Sequence, residues 1–179
     1  MISHCFPLGV MDDRAEMFSL DDILQNYWGC MNRIQLWGPT FFSPTINKIL
    51  DEKCDASNRD EYQILLIVTD GAITDLEETI KAVDRAQTLP LSIIIVGVGD
   101  ADFTPMEILD GDSDEYQFAH LRDCVQFVSF KETEDMFQAE HGNDLAARFH
   151  GVKELLAGRL LEELPRQVED YMRIKGYAE

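Results

Sequence analysis

The chain has 179 residues, 45% of them apolar and 27% charged, which suits one soluble globular domain with a single substantial core. Its formal net charge of -19 opposes binding to nucleic-acid phosphates and adsorption to an anionic leaflet, because no excess of cationic side chains is there to displace counterions. No apolar run approaches the roughly 20 residues of a membrane helix, and "MISHCFPLGVMDD" has neither the basic nor the long apolar region of a secretory signal.

In chain order, Ser19 is placed as the N-cap of a first helix, with Asp22 in its first turn. Ile23, Leu24, Tyr27, Met31 and Ile34 recur at helical spacing, and Gly38 and Pro39 end the pattern near Leu36. Ser43 and Pro44 predict the cap and first residue of a second helix, whose apolar face is Ile46, Ile49 and Leu50. The stretch 62–69, "YQILLIVT", is nearly continuous in hydrophobicity, the pattern of a strand buried on both faces. Thr74 and Glu77 form a capping box for a third helix carrying Leu76, Ile80, Val83 and Leu89, which Pro90 closes. A second apolar strand follows over 91–98, so strand, helix and strand with short joints predict a βαβ unit with parallel strands.

Thr104 is read as the cap of a short helix, "FTPMEIL", and the acidic segment "DGDSDEYQFAHLRD" leads to a third strand over 124–130. The remainder is helical. "ETEDMFQAEHGND" is polar and poorly patterned, while Leu156, Leu160, Leu164 and Val168 recur every four residues. Pro165 lies within that last pattern, predicting two short helices or one kinked helix.

Most chemical motifs fail on spacing. Cys5, Cys30, Cys54 and Cys124 form no C-x-x-C pair, which excludes a zinc ribbon, a RING or a redox motif, and without a secretory signal reduced, mostly buried thiols are expected. "VGVGDADF" has Gly97 and Gly99 but no third glycine of a dinucleotide fingerprint, so the pair is read as serving a tight turn. Asp110, Asp112 and Asp114 alternate as in a calcium loop, but Glu115 stands at the glycine position and Leu121 at the bidentate glutamate position. The four histidines lack metal-ligand spacing, and neither a nucleophile elbow nor a phosphate loop is present, so no catalytic residue is assigned and a non-enzymatic chain is expected.

Asp70 stands apart from these. It ends an apolar strand and is followed by Gly71, in "YQILLIVTDGAITD". Ligands of open parallel sheets sit beyond the carboxyl ends of strands, where Asp70 would present a hard oxygen to a cation. A carboxylate that merely caps a loop explains the same residue, and on the residues alone the two readings stand level.

The phrases "IQLWGPTFFSPTIN", "YQILLIVTDGAITD", "LPLSIIIVGVGDADFTPMEILDGD", "RDCVQFVSF" and "ELPRQVEDYMRIKG" resemble, in order from about Leu20 to Gly176, the C-terminal A domain of copines. That domain is a branch of the von Willebrand factor A-type fold. The resemblance implies an α/β, Rossmann-like, mostly parallel sheet with helices on both faces, lacking the first strands. One partial domain over 1–179 is expected, with 131–149 a divergent insertion and 151–176 the C-terminal helices. "SHCFPL" resembles a short strand just upstream of the first helix.

In that family a metal-ion-dependent adhesion site is assembled from three loops. The resemblance carries the second-loop threonine onto Thr40 and the third-loop aspartate onto Asp70, as residual ligands for Mg²⁺ or Ca²⁺. The first-loop Asp-x-Ser/Thr-x-Ser is not found; "DASNRD" fails at Arg59. The chain is therefore expected to be N-terminally truncated, with an open edge on the strand of 62–69 and metal affinity weak or nil. The family role it implies is calcium-dependent phospholipid binding, through C2 domains not contained in this sequence, and recruitment of protein partners through the A domain. The location it implies is cytoplasmic, with peripheral plasma-membrane association, and no nucleic-acid partner is expected. The alternative is the A-domain fragment of a copine-like ubiquitin ligase, whose RING the cysteine spacing excludes here. A hydrolase or phosphatase with Asp70 as nucleophile is disfavoured by the "TDGAITD" context.

Overall fold

The structure, a computed structural model, describes residues 3–9, 16–54, 61–71, 73–111, 121–142 and 145–177, with the side chains of 145–149 excepted. Seven helices and three strands are described: α1 (Leu20–Met31), α2 (Ser43–Lys53), β1 (Gln63–Thr69), α3 (Leu76–Ala86), β2 (Leu91–Gly97), α4 (Thr104–Asp110), β3 (Val125–Ser129), α5 (Phe130–His141), α6 (Leu145–Leu161) and α7 (Leu164–Ile174). The strands form a parallel sheet in the order β1-β2-β3. Gln63 stands beside Leu91, and Ile93 beside Val125. This is the α/β architecture expected of a Rossmann-like A-type domain.

One sheet face carries the main core. Leu91, Ile93, Ile95 and Val125 meet Ile46 and Leu50 of α2, Ala82 and Val83 of α3 and Met106 of α4. Ser92 points to the other face, where its hydroxyl donates to Gln167 Oε1 of α7 at 2.6 Å. Helices α6 and α7 pack against β3 and β2 respectively, so both faces of the inner sheet are covered.

β1 is covered on one face only. Leu65 and Ile67 pack on the main core, but Ile64, Leu66 and Val68 are 53%, 57% and 66% exposed. This corrects the expectation of a strand buried on both faces. Each of the three stands in register with Ser92, Ile94 or Val96, on the face that α6 and α7 cover only over β2 and β3. An apolar run therefore identified the strand without reporting its covering.

Several boundaries also differ from the expectation. Ser19 caps α1, its hydroxyl accepting from Asp22 N–H at 3.1 Å, but the helix stops at Met31 rather than Leu36. There Arg33 and Ile34 N–H both turn back to the Cys30 carbonyl, at 2.8 and 3.1 Å. Residues 3–8 form no strand. β3 ends at Ser129, whose hydroxyl accepts from Glu132 N–H at 3.2 Å and starts α5 at Phe130. The poorly patterned stretch after 130 is regular helix, with Thr133 and Phe137 buried, and α6 begins at Leu145 rather than near Gly151. Its close approach to α5 requires Gly151, since a Cβ there would lie 2.1 Å from the Phe137 ring. The break at Pro165 does give two helices, with the proline in the first turn of α7. Most of the acidic segment before β3 and all of "DASNRD" lie outside the described residues.

Candidate functional site

The carboxyl ends of the strands gather Asp70 after β1, Gly99 and Asp100 after β2, and Ser129 at the end of β3. Val98 N–H donates to the Thr69 carbonyl at 2.8 Å, continuing the ladder one residue past β2. The Thr69 hydroxyl bridges to the Gly71 carbonyl at 3.1 Å, folding the chain sharply after the strand. Gly99, at φ +97°, takes a left-handed turn that glycine adopts without strain. Gly97 has a different reason. A Cβ there would meet the Phe103 and Phe127 rings at 2.9 and 3.0 Å, so its bare backbone admits that aromatic pair. Gly71 shows no such crowding: nothing lies within 4 Å of an added Cβ.

The two residues carried from the family site lie on adjoining loops. Thr74 N–H donates to the Thr40 carbonyl at 3.0 Å, which ties the loop before α2 to the loop after β1 that begins with Asp70. Both Thr40 and Asp70 are exposed. Asp75 completes the tie. Its carboxylate accepts from Phe42 N–H at 3.1 Å and from Ser43 N–H at 2.9 Å. The start of α2 is thus capped by a side chain from the next loop rather than by Ser43, which is itself helical. The Thr74–Glu77 capping box is likewise not used; no side chain caps α3, and Asp75 is engaged with α2 instead. Burial raises the Asp75 carboxyl, but hydrogen bonds from Ser43 and Phe42 outweigh it and hold the group below its ordinary value.

The surroundings are acidic. Asp100 pairs with Lys131, which that contact keeps protonated above its usual range. Asp102 accepts from the Thr104 hydroxyl at 2.6 Å and its N–H at 3.0 Å, which lowers its pKa. Asp102, and not Thr104, therefore serves the start of α4. Among the described residues no group of three or more His, Cys, Asp or Glu side chains is arranged to hold a metal ion.

Sequence reasoning passed over a polar cluster at the opposite, amino end of the sheet. Arg122 is 3% exposed. It donates to the Leu91 carbonyl at 2.7 Å, the Tyr62 hydroxyl at 2.8 Å and the Gln167 carbonyl at 3.0 Å. Its guanidinium also lies over the Tyr62 and Tyr171 rings, 5.9 and 5.7 Å from their centroids. Gln167 returns a bond to the Val125 carbonyl at 3.1 Å, which pins α7 across β2 and β3. Arg122 lies in "RDCVQFVSF" and Gln167 and Tyr171 in "ELPRQVEDYMRIKG", two of the phrases that carry the family resemblance.

The family model described as Copine matches residues 1–179, the whole chain. The chain belongs to the copine family. Its copine phrases divide between the two ends of the sheet: "GPT" and "TDG" lie on the joined carboxyl-edge loops, whereas the arginine, glutamine and tyrosine dock the last helix. The cysteines of this copine domain are all free, and Cys30, Cys54 and Cys124 are buried. Burial pushes the Cys124 thiol up to about 12, so it is chemically inert at neutral pH. No described helix is long and apolar enough to cross a membrane.

Proposed function

We propose that this copine chain is a non-enzymatic binding module that takes protein partners beside the carboxyl edge of its sheet. The observation that carries the reading is the loop leading into Thr40. Leu36 and Trp37 are each 71% exposed there, a large apolar and aromatic surface of the kind that anchors protein interfaces. Phospholipid binding in response to calcium belongs to the wider family role, with a cytoplasmic and peripheral plasma-membrane setting, and in this reading it does not arise from these residues. Thr40 and Asp70 supply one hydroxyl and one carboxylate, both in contact with water. That donor set does not fit a retained Mg²⁺ or Ca²⁺, since most coordination positions would stay with solvent and Mg²⁺ dehydrates reluctantly.

Two measurements test this. Affinity capture from cytosol with the purified chain should recover proteins that are lost with Trp37→Ala and kept with Leu161→Ala, a control at another exposed apolar residue. Equal capture by both variants overturns the docking surface. Isothermal titration with MgCl₂ and CaCl₂ should show no tight site; tight binding abolished by Asp70→Ala would mean that further ligands complete the shell.

A further inference from the structure

We infer that the cleft where α2, α3 and α7 end is a second docking site, which takes an acidic peptide segment of a partner protein. A carboxylate of that segment meets the rim, and a neighbouring apolar side chain covers the floor. The cleft lies at the amino end of the sheet and has a volume of about 500 Å³, lined by residues from the last turns of the three helices and from the loop before β2. Ligand pockets are commonly of this size. It stands at the opposite end of the sheet from the Trp37 surface proposed above, so either site can fail without the other.

Floor and rim differ in chemistry. Leu50, Cys54, Pro90 and Tyr171 line the floor and belong to the buried residues of the fold. Arg85, Lys175 and Asp51 stand on the rim, and all three are exposed. Arg85 donates to Asn47 Oδ1 at 3.1 Å and pairs with Asp51, which uses two of its five N–H groups. Lys175 lies over the Tyr171 ring, 5.8 Å from its centroid, and has no carboxylate partner among the described residues. Cations at helix C-termini are favoured by the helix dipole, so their presence alone assigns nothing. The assignment comes from the opening between them, above an apolar floor.

The rim selects the charge of the occupant. Two cations and one carboxylate leave a single positive charge there, in a chain whose net charge is -19. At physiological salt the Debye length is about 8 Å, so more distant exposed charges are largely screened and the rim sets the local field. One carboxylate neutralises it, whereas a doubly charged phosphate would leave an excess of negative charge. The floor calls for an apolar side chain beside that carboxylate, since covering it removes apolar surface from water. Thr88 and Tyr177 add hydroxyls at the rim, which suit the N–H and C=O groups of a peptide crossing the opening.

NMR titration of the isotope-labelled full chain with the peptide acetyl-Leu-Glu-Phe-amide decides the matter. Saturable shifts are expected at the amides of Thr88, Leu89, Lys175 and Tyr177, with a dissociation constant on the order of 1 mM. The Gln counterpart of the peptide should bind about 2–5-fold more weakly, the worth of one exposed ion pair. Lys175→Glu, which reverses a rim charge, should weaken the Glu peptide by about 5-fold or more. Because Lys175 is exposed, that variant should keep its helical circular dichroism. Lys153→Glu changes the net charge equally at an exposed position of α6 outside the cleft, and should leave the affinity unchanged. No saturable shift at these amides, equal binding of the Glu and Gln peptides, or equal loss in both variants overturns the inference. Octanoate that binds at the same amides more tightly than the peptide overturns it too, in favour of a small amphiphile.

Discussion

The Asp75 carboxylate caps a helix that begins 32 residues earlier in the chain, holding the Phe42 and Ser43 N–H groups at 3.1 and 2.9 Å. The first N–H groups of a helix have no partners within it. A charged acceptor aimed at them is favoured both by the hydrogen bonds and by the positive end of the helix dipole. The same contact fixes where the Thr40 loop sits relative to the loop of Asp70.

Asp75→Ala is therefore expected to destabilise the fold by about 1–2 kcal/mol at pH 7, measured by urea denaturation. The pH dependence follows from the lowered folded-state pKa. The stabilisation is fully present above the unfolded value, near 3.8, and is lost as pH falls through the still lower folded value. The gap between the native chain and Asp75→Ala should thus be constant from pH 7 to about 5 and close below about pH 4.

Arg122 offers a larger effect. Its donors satisfy backbone carbonyls from β2, the loop before it and α7, in a site that excludes water. Removing it takes a charged donor from several buried acceptors, each lost bond costing about 1–3 kcal/mol. Arg122→Ala should lower stability by about 3 kcal/mol or more, and Arg122→Lys should recover only part, because an ammonium cannot reach both sides of the fork. Equal stability of the lysine variant and the native chain would show that the fork geometry is unimportant.

How much of this was legible in the sequence depends on the range of the interaction. Local signals read well: Ser19 does cap α1, Pro165 does divide the last helices, and the strands over 63–69 and 91–97 pair in parallel. Signals that depend on a distant partner did not. Asp75 lies inside the Thr74–Glu77 pattern of its own helix start, and nothing in the sequence says that its acceptors are spent on Phe42 and Ser43. Ile64, Leu66 and Val68 look like core, because hydrophobicity records what a strand was selected to meet and not what covers it in this chain. Asp70 stands out by its place at the end of an apolar strand, but only the resemblance pairs it with Thr40, as the residues alone do not separate a metal ligand from a loop cap. Arg122 carried a usable hint, an arginine three residues before a strand in one of the family phrases, but burial could not be read from it.

Two glycines at the carboxyl edge separate packing from conformation. At Gly97 the aromatic pair leaves no room for a Cβ, and the strand backbone cannot shift without breaking its ladder. Gly97→Ala should destabilise by about 1–3 kcal/mol. Gly71 has open space around it and no positive φ, so Gly71→Ala should stay within about 0.5 kcal/mol of the native chain. Thermal denaturation of the two variants side by side checks both, and a destabilised Gly71→Ala would point to a close approach at that loop.

The last prediction concerns lipid. Direct adsorption to an anionic membrane needs a cationic face or an ion that bridges two sets of carboxylates. The carboxyl edge offers Asp70, Asp100 and Asp102, with Lys131 already committed to Asp100. The whole chain adds a net charge of -19, so its approach to a phosphatidylserine surface is repulsive on average unless a cation is bound. Among the described residues of that edge, bridging calcium would be held by exposed single carboxylates, which coordinate too few positions to resist exchange with water. The purified chain should therefore stay in the supernatant when phosphatidylserine vesicles are pelleted, with calcium and without it. Strong calcium-dependent co-sedimentation that Asp70→Ala abolishes would mean that this edge carries the family's lipid response by itself.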